Sequence, residues 1–139
     1  MKLFTGALLL MGLFFTGSCT KTVTNQVNAG QSIFFTIHPQ EWEATTNTDF
    51  GKGFSISLSI PEITSDIMQQ GAVLTYISLD GENTFEPIPE VINGVTYITS
   101  HSAGVLDVGV FDAYSAGVDH AFDGDVVLKV VLLNTTRIQ

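Results

Sequence analysis

From residue 31 onward the chain is dominated by apolar and polar positions that alternate with a period of two, the signature of half-buried β-strands. In GFSISLSI (53–60), Phe54, Ile56, Leu58 and Ile60 share one side and Ser55, Ser57 and Ser59 the other. A strand turns successive side chains to opposite faces, so this segment predicts one buried and one wet face. SIFFTIH (32–38) reads the same way, with Ile33, Phe35 and Ile37 inward. AVLTYISL (72–79) and DVVLKVVLL (125–133) are apolar on both sides, as expected of interior strands. GVTYITS (94–100) and VLDVGVF (105–111) complete the set.

The intervals carry turn chemistry. Asp80-Gly81 and Asn93-Gly94 are tight-turn dipeptides, and Asp123-Gly124 precedes the last strand. Pro87 and Pro89 cannot donate to a ladder, which makes residues 85–92 an edge strand or an extended crossing. Only PEITSDIMQQG (61–71) has helical features, and the predicted helix covers 64–70. Thr64 is the cap, Asp66 complements the positive end, and Gly71 is the stop, with Ile63 and Met68 placed as a hydrophobic staple. Six to eight short strands and one short helix predict an all-β fold, an antiparallel two-sheet sandwich of immunoglobulin-like architecture, with a small barrel as the alternative. The echo of HSAGV (101–105) in YSAGV (114–118) is too short to define a repeat.

The amino-terminal segment follows another logic. Met1-Lys2 precede an apolar run from Leu3 to Phe15, followed by the small residues Gly17 and Ser18. That is the layout of a secretory signal, and the run is shorter than the roughly 20 residues of a membrane-spanning helix. The sole cysteine, Cys19, comes directly after it. The arrangement resembles a bacterial lipoprotein signal, in which the cysteine after a small residue is acylated and becomes the mature amino terminus; Thr16 stands where leucine is usual. The resemblance implies a signal at 1–18 and lipidation of Cys19 by palmitate-type acyl chains. Residues 20–30 are polar and end in glycine, so 19–30 reads as a tether with room for a first strand at Val23–Val27, ahead of a sandwich domain at 31–139. Acylation also removes the liability of an odd cysteine in an exported protein. Stable anchoring takes more than one acyl chain, which lipoprotein processing supplies.

Charge narrows the partners. Loss of the signal removes Lys2 and leaves 4 basic against 14 acidic residues. Such an excess repels phosphate backbones and excludes nucleic acid as a partner. The expected partners are the membrane, through the lipid, and an envelope protein or glycan. The expected location is the outer membrane, on its periplasmic side, because TKTVTNQ (20–26) has no acidic patch of the kind that accompanies surface export.

PEITSDIMQQGAVLTYISLDGENTFEPIP (61–89) resembles the central segment of small Bacteroidota lipoproteins, with a P-x-I-T stretch leading to G-A-V-x-x-Y and an aromatic before proline. HPQEWE (38–43) and VVLKVVLLN (126–134) fit the same pattern, and Phe85 replaces an expected tryptophan. The resemblance implies a fold and a cellular context, and no activity.

Catalytic patterns are sparse. There is no nucleophile elbow, no H-E-x-x-H, no phosphate-binding glycine loop and no zinc spacing. His38, His101 and His120 are dispersed. Ser102 or Ser115 with a histidine and Asp112 would make a triad on paper only. FDAYSAGVDHAFDGD (111–125) gathers Asp112, Asp119, Asp123 and Asp125, oxygen donors of the type calcium takes, but the order is not that of an EF-hand. The ordinary reading is a solvated loop, so no cofactor and no metal is expected. Glu41, Glu43, Glu86 and Glu90 are the carboxylates from which a glycosidase pair would have to come. Trp42 reads as a core residue with a wet acidic rim, its functional alternative being a sugar platform or interface anchor. The expectation is a non-enzymatic binding or scaffolding module, the alternative a small envelope hydrolase with a carboxylate pair.

Overall fold

A computed structural model describes residues 30–113 and 121–135. The signal segment, Cys19, the predicted strand near 23–27, Ser115, Asp119 and His120 lie outside the described residues. Among those described, nine strands form two antiparallel sheets. The strands are β1 (Gln31–Ile37), β2 (Glu43–Asn47), β3 (Gly51–Ser59), β4 (Ala72–Ser78), β5 (Glu86–Ile88), β6 (Glu90–Ile92), β7 (Val95–Ser102), β8 (Val105–Asp112) and β9 (Val126–Leu133). The order is β1-β9-β4-β5 in one sheet and β2-β3-β8-β7-β6 in the other. This is the predicted all-β two-sheet sandwich with one short helix, α1 (Ser65–Gln70).

The alternation read from the sequence sets the inner faces. Ile33, Phe35 and Ile37 of β1 lie in rows with Val130, Leu128 and Val126 of β9. Across from them, Phe54, Ile56 and Leu58 of β3 stand opposite Val110, Val108 and Leu106 of β8. These two inner faces meet in one core, whose centre (Ile77, Leu106, Val108, Val110, Leu128, Val130) is fully buried. A two-sheet stack is the arrangement that removes one face of each sheet from water at once.

The chain changes sheets four times. It crosses through a 3-10 turn (Pro39–Glu41) into β2, and through α1 into β4. It crosses again at Pro89, between β5 on the edge of one sheet and β6 on the edge of the other. Pro87 therefore sits on an edge strand and Pro89 in the bend between two edge strands, where missing donors do least harm. The last crossing joins β8 to β9.

Asn93 and Gly94 both adopt positive φ (51° and 79°) and close the β6–β7 hairpin between Ile92 and Val95. Asp80-Gly81 does not make a tight hairpin, and instead opens a longer loop between Ser78 and Glu86. Ser78, at the end of β4, donates its hydroxyl to Asp80 Oδ1 at 2.8 Å, which also accepts from Thr84 N at 2.9 Å. Those bonds hold the Asp80 carboxyl below its usual range, the Thr84 amide contributing most.

At α1, Thr64 caps as expected, its Oγ1 accepting from Ile67 N at 3.3 Å. The staple does not form as predicted. Ile63 is buried, but Met68 stays exposed and Ile67 is the helix residue that enters the core. A helix this short has one buried stripe, and the third position after the cap occupies it. Strand β2 was not foreseen. Glu-Ala-Thr-Thr-Asn has no apolar alternation, and pairing with β3 defines it.

Candidate binding surface on the four-stranded sheet

The outward side of β1, β9 and β4 follows from register. Phe34 pairs with Lys129, Lys129 with Tyr76, and Tyr76 with Pro87, which gives one row across the sheet. Beside it runs the row Ser32, Val131 and Leu74, and on the other side Thr36, Val127 and Ser78. Phe34 is 52% exposed and Leu74 40% exposed. The loop after β4 brings Phe85 over this face, edge-on to Phe34 with ring centres 6.1 Å apart. The Lys129 ammonium lies 4.6 Å from the centre of the Tyr76 ring and 4.7 Å from that of Phe85. A cation between two rings is attracted by both quadrupoles, so the lysine fixes the rings into a platform.

The three rows hold no carboxylate, although the chain has 14 acidic residues. Asp80 and Glu82 after β4, and Asp123 and Asp125 before β9, lie past one end of the sheet, and Glu86 stands on its β5 edge beside Pro87. At that end His38 Nδ1 and Asp125 Oδ1 are 2.7 Å apart, half exposed. The hydrogen bond to Asp125 raises the His38 pKa above its ordinary value, with the charges of Asp125 and Glu41 acting in the same direction. Glu41 also accepts from the His38 backbone N–H at 2.6 Å.

No family model, no curated protein and no solved structure matches the chain.

The residues singled out from the sequence are dispersed. Trp42 is 6% exposed and belongs to the core, its ring centre 5.0 Å from that of Phe122. It offers no surface for stacking, which corrects its candidacy as a binding residue. Glu41 and Glu43 beside it are exposed and form the wet rim. Glu86 and Glu90 are exposed on edge strands of different sheets. Asp112 ends β8 in register with Val95, whereas Ser102 pairs with Val105 at the other end of the same hairpin. Seven residues of strand separate them by about 23 Å, so Ser102 and Asp112 cannot share a triad. No group of three or more metal-ligating side chains occurs among the described residues. Asp125 is committed to His38, and Asp119 lies outside those residues.

Phe34, Tyr76, Phe85 and Lys129 were not singled out from the sequence. The available signal was the doubly apolar pattern of 72–79 and 125–133. Both segments are interior strands, as predicted, but their second apolar side faces outward.

A cavity of about 340 Å³ opens at the remote end of the sandwich, lined by Tyr97, Phe122, Asp123 and Asp125. One of its two carboxylates is already the partner of His38.

Proposed function

We propose that the protein is a lipid-anchored lipoprotein of the cell envelope whose sandwich is a non-enzymatic binding or scaffolding module. Its working surface is the outer face of the four-stranded sheet. One observation carries the reading: Phe34 and Leu74 are left in water beside the Tyr76–Lys129–Phe85 stack. Contiguous apolar surface in contact with water marks an interaction site, because covering it removes a standing free-energy cost of about 25 cal/mol per Å². Support for the anchor is the Gly17-Ser18-Cys19 sequence behind the apolar run. Support for the outer membrane, on its periplasmic side, is the absence of acidic residues in 20–26.

The anchor is tested by metabolic labelling with a fatty-acid analogue and by fractionation. The native chain takes up label and sediments with membranes. Cys19→Ala stays folded, takes up none and appears in the soluble fraction. A Cys19→Ala chain that is still labelled and still sediments with membranes overturns the lipoprotein reading.

A further inference from the structure

We infer that the partner of the aromatic face is the phospholipid bilayer itself, so that the sandwich lies on the membrane through Phe34, Leu74 and Phe85, with Lys129 reaching lipid phosphate. The inference deepens the lipoprotein reading and rests on it.

The first support is where the chain enters the sheet. Gly30 directly precedes β1, and a side-chain carbon there would lie 2.9 Å from Leu133 Cδ2. Leu133 continues the outward side of β9, in register with Ala72. The chain thus enters beside the apolar face, at the end remote from Asp80, Asp123 and Asp125. Cys19 lies 11 residues before Gly30. Even fully extended, that length spans no more than about 40 Å. Strand β1 is itself about 23 Å long. A lipid on Cys19 therefore holds this end of the sheet within about two strand lengths of the headgroups.

The second support is charge. In a chain of net charge −9, most of the surface is repelled by lipid phosphate. The outward rows of β1, β9 and β4 contain one cation and no carboxylate; Asp80, Glu82, Asp123 and Asp125 lie past the far end, Glu86 on the β5 edge and Asp66 on α1 before β4. Resting on this face brings Lys129 towards phosphate and keeps the carboxylates of the far end away.

The third support is the side-chain chemistry. Phenylalanine and leucine enter the headgroup–acyl boundary, and lysine lays its alkyl stem along apolar surface while its ammonium reaches the polar layer. No amide side chain and no carboxylate accompanies the rings in these rows, which disfavours a sugar platform. Their hydroxyls are those of Ser32 and Thr36 at the margin, of Tyr76, and of Ser78, the last already donated to Asp80.

The test uses the mature lipidated protein reconstituted into vesicles of phosphatidylethanolamine and phosphatidylglycerol. Its single native cysteine is blocked by acylation, so one new thiol can be labelled with a fluorophore. Ser32→Cys reports the aromatic face, and Ser59→Cys reports the outward side of the five-stranded sheet; both sites are exposed. With a quencher carried on lipid near the headgroups, the label at 32 should be quenched several-fold more than the label at 59. Adding Phe34→Asp and Leu74→Asp should erase that difference while the protein stays on the vesicles, and circular dichroism checks that the variant is folded. Equal quenching at the two sites, or a difference that survives the aspartates, overturns the inference. Equal quenching assigns the face to a protein partner or to none, and a surviving difference assigns the orientation to the tether alone.

Mass spectrometry of the amino-terminal peptide separates the two readings. An unmodified Cys19 ends the lipoprotein reading. The labelled chains, added to preformed vesicles with Cys19→Ala, then test the face alone, and quenching confined to position 32 retains it.

Discussion

Lys129 holds its ammonium 4.7 Å from the centre of the Phe85 ring, joining the middle of β9 to the loop that leads into β5. Tyr76 lies on the other side at a similar distance. The contact makes the loop after β4 part of the outer face. It also gives the first prediction. Lys129→Met keeps the alkyl stem and removes the charge, and should cost about 0.5–1 kcal/mol in a denaturant melt, the size of an exposed cation–π interaction. A double-mutant cycle with Phe85→Leu isolates the pair, and a coupling energy near zero would refute the contact.

Leu58 is 8% exposed and stands opposite Leu106. Leu58→Ala leaves a cavity and should destabilise the domain by roughly 2–5 kcal/mol. One residue away, Ser57 is exposed and its hydroxyl donates to Asp107 across the strand pair. Ser57→Ala loses that bond and should cost no more than about 1 kcal/mol. Urea melts of the two variants check the inward–outward alternation of β3, and equal losses would contradict it.

Two glycines on the outward side of the five-stranded sheet make room for Phe111. A side-chain carbon at Gly109 would lie 2.7 Å from Phe111 Cε2 and 2.9 Å from Ile98 Cγ1. At Gly53 it would lie 2.3 Å from the Val110 carbonyl oxygen. The ring packs over the glycines, 2% exposed, and stacks on Phe50 with centres 5.6 Å apart. Gly53→Ala should cost roughly 1–3 kcal/mol, since the clash is with backbone that cannot move aside. Thermal melts read the loss, and an unchanged melt would mean that the Val110 backbone does not approach Gly53 so closely.

His38 titrates above the ordinary histidine range because Asp125 holds its protonated form. The unfolded chain binds that proton only below its own pKa near 6.5. The tie between β1 and the approach to β9 is therefore fully stabilising below about pH 6.5 and is lost as pH rises through the raised folded value. A proton NMR titration should place the His38 midpoint above 6.5, and Asp125→Asn should lower it. A midpoint that ignores Asp125→Asn would show that the pair does not form in solution.

Calcium should leave the melting temperature unchanged. A ligand at a hundred times its Kd would add about 2.7 kcal/mol of stability. Calorimetry with calcium and with chelator reads this directly, and a rise of several degrees would assign the aspartates of 112–125 a binding role.

The fold class and most of the core were legible in local pattern alone. Alternation at Phe54, Ile56 and Leu58, and at Ile33, Phe35 and Ile37, is a local property, because a strand has a period of two whatever it packs against. The Asn93-Gly94 hairpin and the Thr64 cap were equally local, each satisfied by backbone within a few residues. Tertiary structure decided what no local pattern contains. Strand β2 exists because β3 offers it a partner. Met68 and Ile67 could exchange roles until the sheets fixed which stripe of α1 faces inward. The candidate surface belongs to the same class. The apolar runs 72–79 and 125–133 predict burial on both sides, yet only the order β1-β9-β4-β5 decides that one side meets the core and the other meets water. Phe34, Tyr76, Phe85 and Lys129 come from three strands and a loop, and register alone brings them together. Hydrophobicity is written residue by residue, whereas which surface stays uncovered is a property of how the strands are ordered in space.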